Sequence, residues 1–249
     1  MVQSLLGSIR YELDWPENRG LSKPLSEIER IYKDQHDCKI NDDEGCQILS
    51  FADVLALSGA QAVETAQGPQ IPIKLGRKDK AEADKRYLDR MIRSESERSS
   101  INTSLPSPAL DSLGLRIFFK RIGLTENEMV ALMGAHDLGR HVTLTGMPKE
   151  CLRYLTRSCL EDAPNLAPFV TMDPDTLSNN YFQVLLRWND RKIEYGEASF
   201  IPTDVALVVD EGLKSVVVKF AKDETLFFQT FSKAYQKLVD STANTSLRY

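Results

Sequence analysis

The chain has 249 residues, enough for one substantial core, or for two lobes sharing one. With 31 basic and 36 acidic side chains it is mildly acidic, which gives no electrostatic reason to expect nucleic acid. Its longest apolar runs, such as Val205 to Val209, fall far short of the roughly 20 residues a bilayer requires, so a soluble or peripheral protein that does not span a membrane is expected. The first residues carry neither a basic, serine-rich leader nor an apolar signal core.

In chain order the pattern is mostly helical. A turn over 15–20 precedes Leu21, Leu25, Ile28 and Tyr32 at helical spacing. The stretch 33–47 is polar and reads as turn-rich, with Cys38 and Cys46 bracketing its most acidic part. Ser50 with Asp53 reads as a capping box opening a helix to about Glu64, which Gly68-Pro69 breaks. From Lys78 to Arg98 the chain is heavily charged, yet Tyr87, Leu88, Met91 and Ile92 share one helical face. Two readings stand there, a solvated excursion and a docking helix for a partner. A helix is predicted from Asp111 to Ile122, ended by Gly123.

The stretch 123–141, GLTENEMVALMGAHDLGRH, organises the rest. Thr125 and Glu128 form a capping box, because the threonine hydroxyl can accept a free first-turn N–H while the glutamate reaches back to the cap. Met129, Leu132, Met133 and His136 then recur on one stripe, so the imidazole is expected to face the apolar interior, with Gly139 as terminator. Such a histidine can be an ordinary hydrogen-bonded core residue or a ligand. Toward the C-terminus Phe227, Phe228, Phe231, Tyr235 and Leu238 build a last amphipathic helix, capped by Asp223.

The run Glu128 to His136 resembles the proximal-histidine helix of the plant-type (class I) haem peroxidases, the ascorbate peroxidase branch above all: an acidic residue, apolar positions, the small pair Gly134-Ala135, then the histidine. GSIRYELDWPENRGL (7–21), SFADVLALSGAQAVE (50–64), GPQIPIKLGRKD (68–79), LGLRIFFKRIGLTENEMVAL (113–132), NNYFQVLL (179–186), IPTDVALVVD (201–210) and FFQTFSKAYQKLV (227–239) resemble that branch in the same order. The resemblance implies a single peroxidase-like domain over 1–249, mainly α with minimal β. It contains a charged insertion at 77–104 and a diverged segment at 142–168. It further implies His136 as axial ligand of a haem b, Asp204 as the carboxylate holding the other ring nitrogen, and His141 near a haem propionate, where an ordinary surface histidine is the competing reading. Asp137 stands where the family has a threonine or serine linked to a cation site, and is a weak metal candidate.

Departures from the pattern matter as much. Pro168-Phe169-Val170-Thr171 is the nearest match to the branch's Pro-Trp-Thr, so the redox-active indole is expected to be lost, with Trp15 and Trp188 as packing residues. The family splits peroxide with an Arg-x-x-Trp-His or Arg-x-x-Phe-His helix ahead of Gly-Ser-Ile-Arg, and here Gly7-Ser8-Ile9-Arg10 follows Leu6 near residue one. The sequence therefore reads as an N-terminally truncated peroxidase fold. The expected protein is a haem-poor pseudo-peroxidase without distal arginine and histidine, acting as an accessory or structural subunit. A protein partner, part of a large membrane-associated plastid assembly such as one at a photosystem, would cover its exposed apolar distal surface. The alternatives are an active peroxidase reducing hydrogen peroxide with ascorbate through residues on other sequence, and a haem sensor or carrier using His136 alone.

The cysteine pairs Cys38 with Cys46 and Cys151 with Cys159 fall in inserted or diverged stretches. They read either as reduced thiols in a plastid stroma or cytosol or as disulfides in an oxidising thylakoid lumen. Cys151 and Cys159 can pair only if the chain turns back between them, since helix would separate them by about 12 Å. His36 beside the first pair gives at most three zinc ligands, without a fourth.

Overall fold

The computed structural model describes residues 7–15, 18, 20–40, 48–83, 106, 108, 110–142, 166–168, 173–190 and 200–240, with backbone alone at 36–40, 140–142 and 166–168. Among them are eight α-helices: α1 Ser22–Ile40, α2 Phe51–Thr65, α3 Ser112–Arg121, α4 Glu126–Met133, α5 Asn180–Asn189, α6 Pro202–Val209, α7 Glu211–Lys222 and α8 Glu224–Asp240. Two short strands, β1 Arg140–Val142 and β2 Leu166–Pro168, pair antiparallel with His141 opposite Ala167. The fold is mainly helical, as the resemblance implied, and among the described residues no helix is long and apolar enough to cross a membrane.

Helix α4 is the hub. Its capping box forms as predicted: Thr125 Oγ1 accepts from Glu128 N at 3.3 Å, and Glu128 Oε2 accepts from Thr125 N at 2.7 Å. Glu128 also takes Lys237 of α8 at 3.0 Å, so one carboxylate caps the hub and ties it to the last helix. Burial, which would raise the Glu128 carboxyl, is outweighed by these hydrogen bonds, and it sits below the usual range. Met129, Val130, Ala131 and Met133 are buried, and α4 packs on α7 and α8. The aromatic side of this core runs from Phe182 on α5 to Phe227 on α8, ring centroids 5.0 Å apart and edge-on. Gly134 lies under that pair, where a Cβ would stand 2.6 Å from Phe227 and 2.9 Å from Phe182. Only glycine lets the backbone leading to His136 come so close.

Several expectations are corrected. Helix α4 does not run to Gly139: it ends at Met133 and tightens into a 3-10 turn, Gly134–Asp137, because the segment 173–178 captures the chain beyond it. Ser178 donates from its backbone N and Oγ to Asp137 Oδ2 at 2.7 and 2.8 Å, and Gly139 N donates to Pro174 O at 2.7 Å with Gly139 at φ 76°. Helix α1 takes in the first part of the polar stretch read as turns, 33–40, and residues 41–47 lie outside the described ones. Arg30 pairs with Glu27 and Asp34 one turn away on either side, and Gln35 exchanges two hydrogen bonds with the backbone of Leu49. The Ser50 box is only half made. Ser50 Oγ accepts from Asp53 N, but the Asp53 carboxylate is turned to Gly76 N, Arg77 N and Arg77 Nη1. Arg77 and Asp79, at the front of the charged insertion, are therefore woven into the fold; Asp79 accepts the first two N–H groups of α2, at Phe51 and Ala52.

The remainder of that insertion from residue 84 to 105, the diverged segment 143–165 and Phe169 to Thr171 lie outside the described residues, as do Cys46, Cys151 and Cys159 and the side chains of His36, Cys38 and His141. Trp188 packs edge-on to Phe200 at 6.1 Å, the packing role expected of it.

Candidate functional site

Two helix ends and one turn build the site. Helix α6 is preceded at its cap position by Ile201, which has no polar side chain to act as a cap; Pro202 fits the first helical position, and Asp204 reaches back to accept from Ile201 N at 2.9 Å through Oδ2. That local bond fixes the carboxylate's rotamer and aims Oδ1 across at the turn Gly134–Asp137. There His136 Nδ1 lies 2.7 Å from Asp204 Oδ1. Asp204 is fully buried, while the His136 side chain keeps 28% of its exposure. A carboxylate only accepts, so Nδ1 carries the proton, and in the neutral imidazole Nε2 carries the lone pair on the side facing away from the carboxylate. The two residues singled out in the sequence, 68 positions apart, are thus brought together.

Sequence reasoning missed a third member. Tyr181, on the first turn of α5, donates its hydroxyl to the same Asp204 Oδ1 at 2.6 Å. Its ring is fully buried, edge-on to Phe182 at 5.0 Å, to Phe200 at 5.9 Å and to His136 at 6.1 Å. Burial first, and the neighbouring Asp204 charge second, push the phenol well above its ordinary titration range, so it stays a donor. The one available signal was the tyrosine in NNYFQVLL, a segment legible as family-like but silent on which residue its hydroxyl meets.

Asp137 lies beside this trio, bonded to the backbone of Tyr181 and to Ser178. It is buried, its Oδ2 is held by Ser178 as above, and burial raises its carboxyl from 3.8 to about 6 against those hydrogen bonds. Among the described residues no group of three or more histidine, cysteine, aspartate or glutamate side chains is placed to hold a metal ion. His141 belongs to β1, a few residues beyond the turn, by its backbone.

The donor set suits a haem iron. An imidazole offers nitrogen, a buried carboxylate fixes its tautomer and raises its basicity, and the histidine remains partly accessible where its carboxylate is not. Comparison with known proteins gives the family. A family model described as Peroxidase matches residues 2–223. The chain is 32% identical to a putative L-ascorbate peroxidase 6 of Arabidopsis thaliana, over 95% of this chain and 56% of that protein. It is 33% identical to a putative heme-binding peroxidase of Cryptococcus neoformans, over 77% of this chain and 53% of that protein. It is also 33% identical to the peroxisomal L-ascorbate peroxidase 5 of Arabidopsis thaliana, over 93% of this chain and 66% of that protein. The chain therefore spans between about half and two thirds of the length of these relatives.

Proposed function

We propose that this chain, which belongs to the peroxidase family, carries the proximal half of a haem site and by itself holds haem without turning over peroxide. The observation that carries the reading is the Asp204 carboxylate, wholly buried and bonded at 2.7 Å to the Nδ1 of a partly accessible histidine. His136 would ligate the iron, Asp204 would keep its Nδ1–H in place, and Gly134 would let the turn approach the aromatic core closely enough to set the ring's position. Haem, when bound, would supply a redox-active iron on which peroxide chemistry can be run.

Cleaving an O–O bond also calls for a base to move a proton and a cation to meet the leaving hydroxide. The histidines of this sequence are His36, His136 and His141, and none stands in an Arg-x-x-Trp-His or Arg-x-x-Phe-His setting. The reading follows that content and departs from the haem-poor expectation in keeping the cofactor: a haem-holding accessory component of a larger assembly, with a protein partner over the distal side and a plastid location, stroma or lumen. An organelle location is supported by the resemblance and by relatives whose names carry one, peroxisomal in one case and chloroplastic in another. A second reading is favoured by a separate observation, the greater length of the relatives: an active peroxidase using ascorbate, whose distal pair lies on sequence outside these residues.

Purified chain titrated with haemin, then challenged with hydrogen peroxide and ascorbate, separates the two. A Soret band with turnover no faster than free haemin supports the first reading. Rapid ascorbate-dependent turnover by this chain overturns it, and turnover that appears only when the chain is extended or a partner is added establishes the second.

A further inference from the structure

The same Asp204 oxygen serves two donors, and the proposed haem chemistry uses only one of them. His136 Nδ1 stands 2.7 Å and Tyr181 Oη 2.6 Å from Oδ1, while Oδ2 is occupied by Ile201 N at 2.9 Å. Tyr181 has little freedom to leave, because its ring is fully buried and wedged edge-on against Phe182 and Phe200. Hydrogen bonds to one acceptor compete: charge drawn toward a phenol proton is charge no longer directed at the imidazole proton.

We propose that Tyr181 is a positioning residue for His136: by donating to the oxygen the imidazole uses, it locks the Asp204 carboxylate and tempers its pull on the Nδ1 proton. This rests on His136 being the haem ligand only for its consequence at iron; the hydrogen-bond competition itself belongs to the haem-free protein. In that protein the stronger pull left after Tyr181→Phe moves the Nδ1 proton further toward Asp204. Once haem is bound, a more anionic imidazole stabilises ferric over ferrous iron.

The test has two arms. In the haem-free chain with ¹⁵N-labelled histidine, Tyr181→Phe should shift the His136 Nδ1–H resonance downfield, the site being assigned by its disappearance in His136→Ala. In the haemin-loaded chain, Tyr181→Phe should raise the ferric to ferrous ratio at a fixed potential by about fivefold, the equivalent of one hydrogen bond of about 1 kcal/mol. Replacing Tyr181 by a ring-fluorinated tyrosine, which keeps the shape and donates more strongly, should move both readouts the opposite way and decides the matter if the phenylalanine variant folds poorly. Resonance and ratio unmoved in both variants, or moved alike in both, overturn the proposal and leave Tyr181 a packing residue. Should haemin fail to bind the unaltered chain, the haem reading falls while the first arm still decides the role of Tyr181.

Discussion

Two carboxylates, Asp53 and Asp204, occupy the same place in their helices, the third residue of α2 and of α6, and both are buried, at 2% and 0% exposure. Each accepts hydrogen bonds through both oxygens, but the donors differ. Asp53 meets the Arg77 guanidinium at 2.9 Å, and the same arginine reaches Asp240 at 2.7 Å, joining α2, the segment 71–79 and the end of α8. Asp204 meets an imidazole, a phenol and a backbone amide. Where a guanidinium sits on the carboxylate, its charge is cancelled on the spot and the group serves as a latch. Where the donors carry no fixed charge, the field of the carboxylate remains directed at the ring of His136. One position in a helix thus yields a fastener in one place and, in the proposed site, the support of a ligand in the other, and the partner decides which.

The contrast can be broken at its structural end first. Arg77→Met should cost about 3–5 kcal/mol, because it leaves the buried Asp53 without its cation and takes from the half-buried Asp240 the nearer of its two, leaving it Lys74 at 4.0 Å. Urea unfolding measures it, and a cost below about 1 kcal/mol would mean that water reaches the cluster. At the other end, Asp204→Asn keeps the shape but removes the carboxylate charge, and should weaken haemin binding about 10–100-fold, as losses around ligand histidines do. Unchanged affinity by Soret titration would sever Asp204 from the site. Gly134→Ala should cost about 1–3 kcal/mol through the clash with Phe227 and Phe182, and should disturb the haem spectrum because the same turn carries His136. Loss of the cap in Thr125→Ala should cost about 1 kcal/mol with no spectral change, seen as a lower thermal midpoint.

The smallest effect belongs to the surface. Arg116 grips Asp210 with two hydrogen bonds of 2.6 and 2.7 Å, which hold the Asp210 carboxyl far below the usual range. A depressed folded value means the contribution is present above the unfolded aspartate range near 3.9 and is lost as pH falls below it. Asp210→Asn should therefore flatten the acid limb of the stability profile by at most about 1 kcal/mol, since the pair is partly solvated. An unaltered acid limb would show the pair contributes nothing.

What the sequence disclosed and withheld follows the range of the interactions. The Thr125 and Glu128 cap, the Asp223 cap and the helices they start depend on neighbours a few residues away, and each was readable; Asp111 was read as the first residue of its helix and caps it instead. His136 and Asp204 were readable by resemblance alone, since nothing local joins residues so far apart. Tyr181, the turn that cuts α4 short at Met133 and the diversion of Asp53 to Arg77 each depend on a tertiary partner that no period or cap encodes. Helix α1 outran its prediction because Gln35 is anchored to Leu49, again across a gap in sequence.

The central claim is that His136, oriented by Asp204, is what holds iron. Resonance Raman spectra of the haemin-loaded, reduced chain test it most directly, through the iron–histidine stretching band. That band should be present in the unaltered protein, absent in His136→Ala and moved to lower frequency in Asp204→Asn, where the imidazole loses its anionic partner. A band that survives in His136→Ala, or that ignores the change at Asp204, would contradict the account.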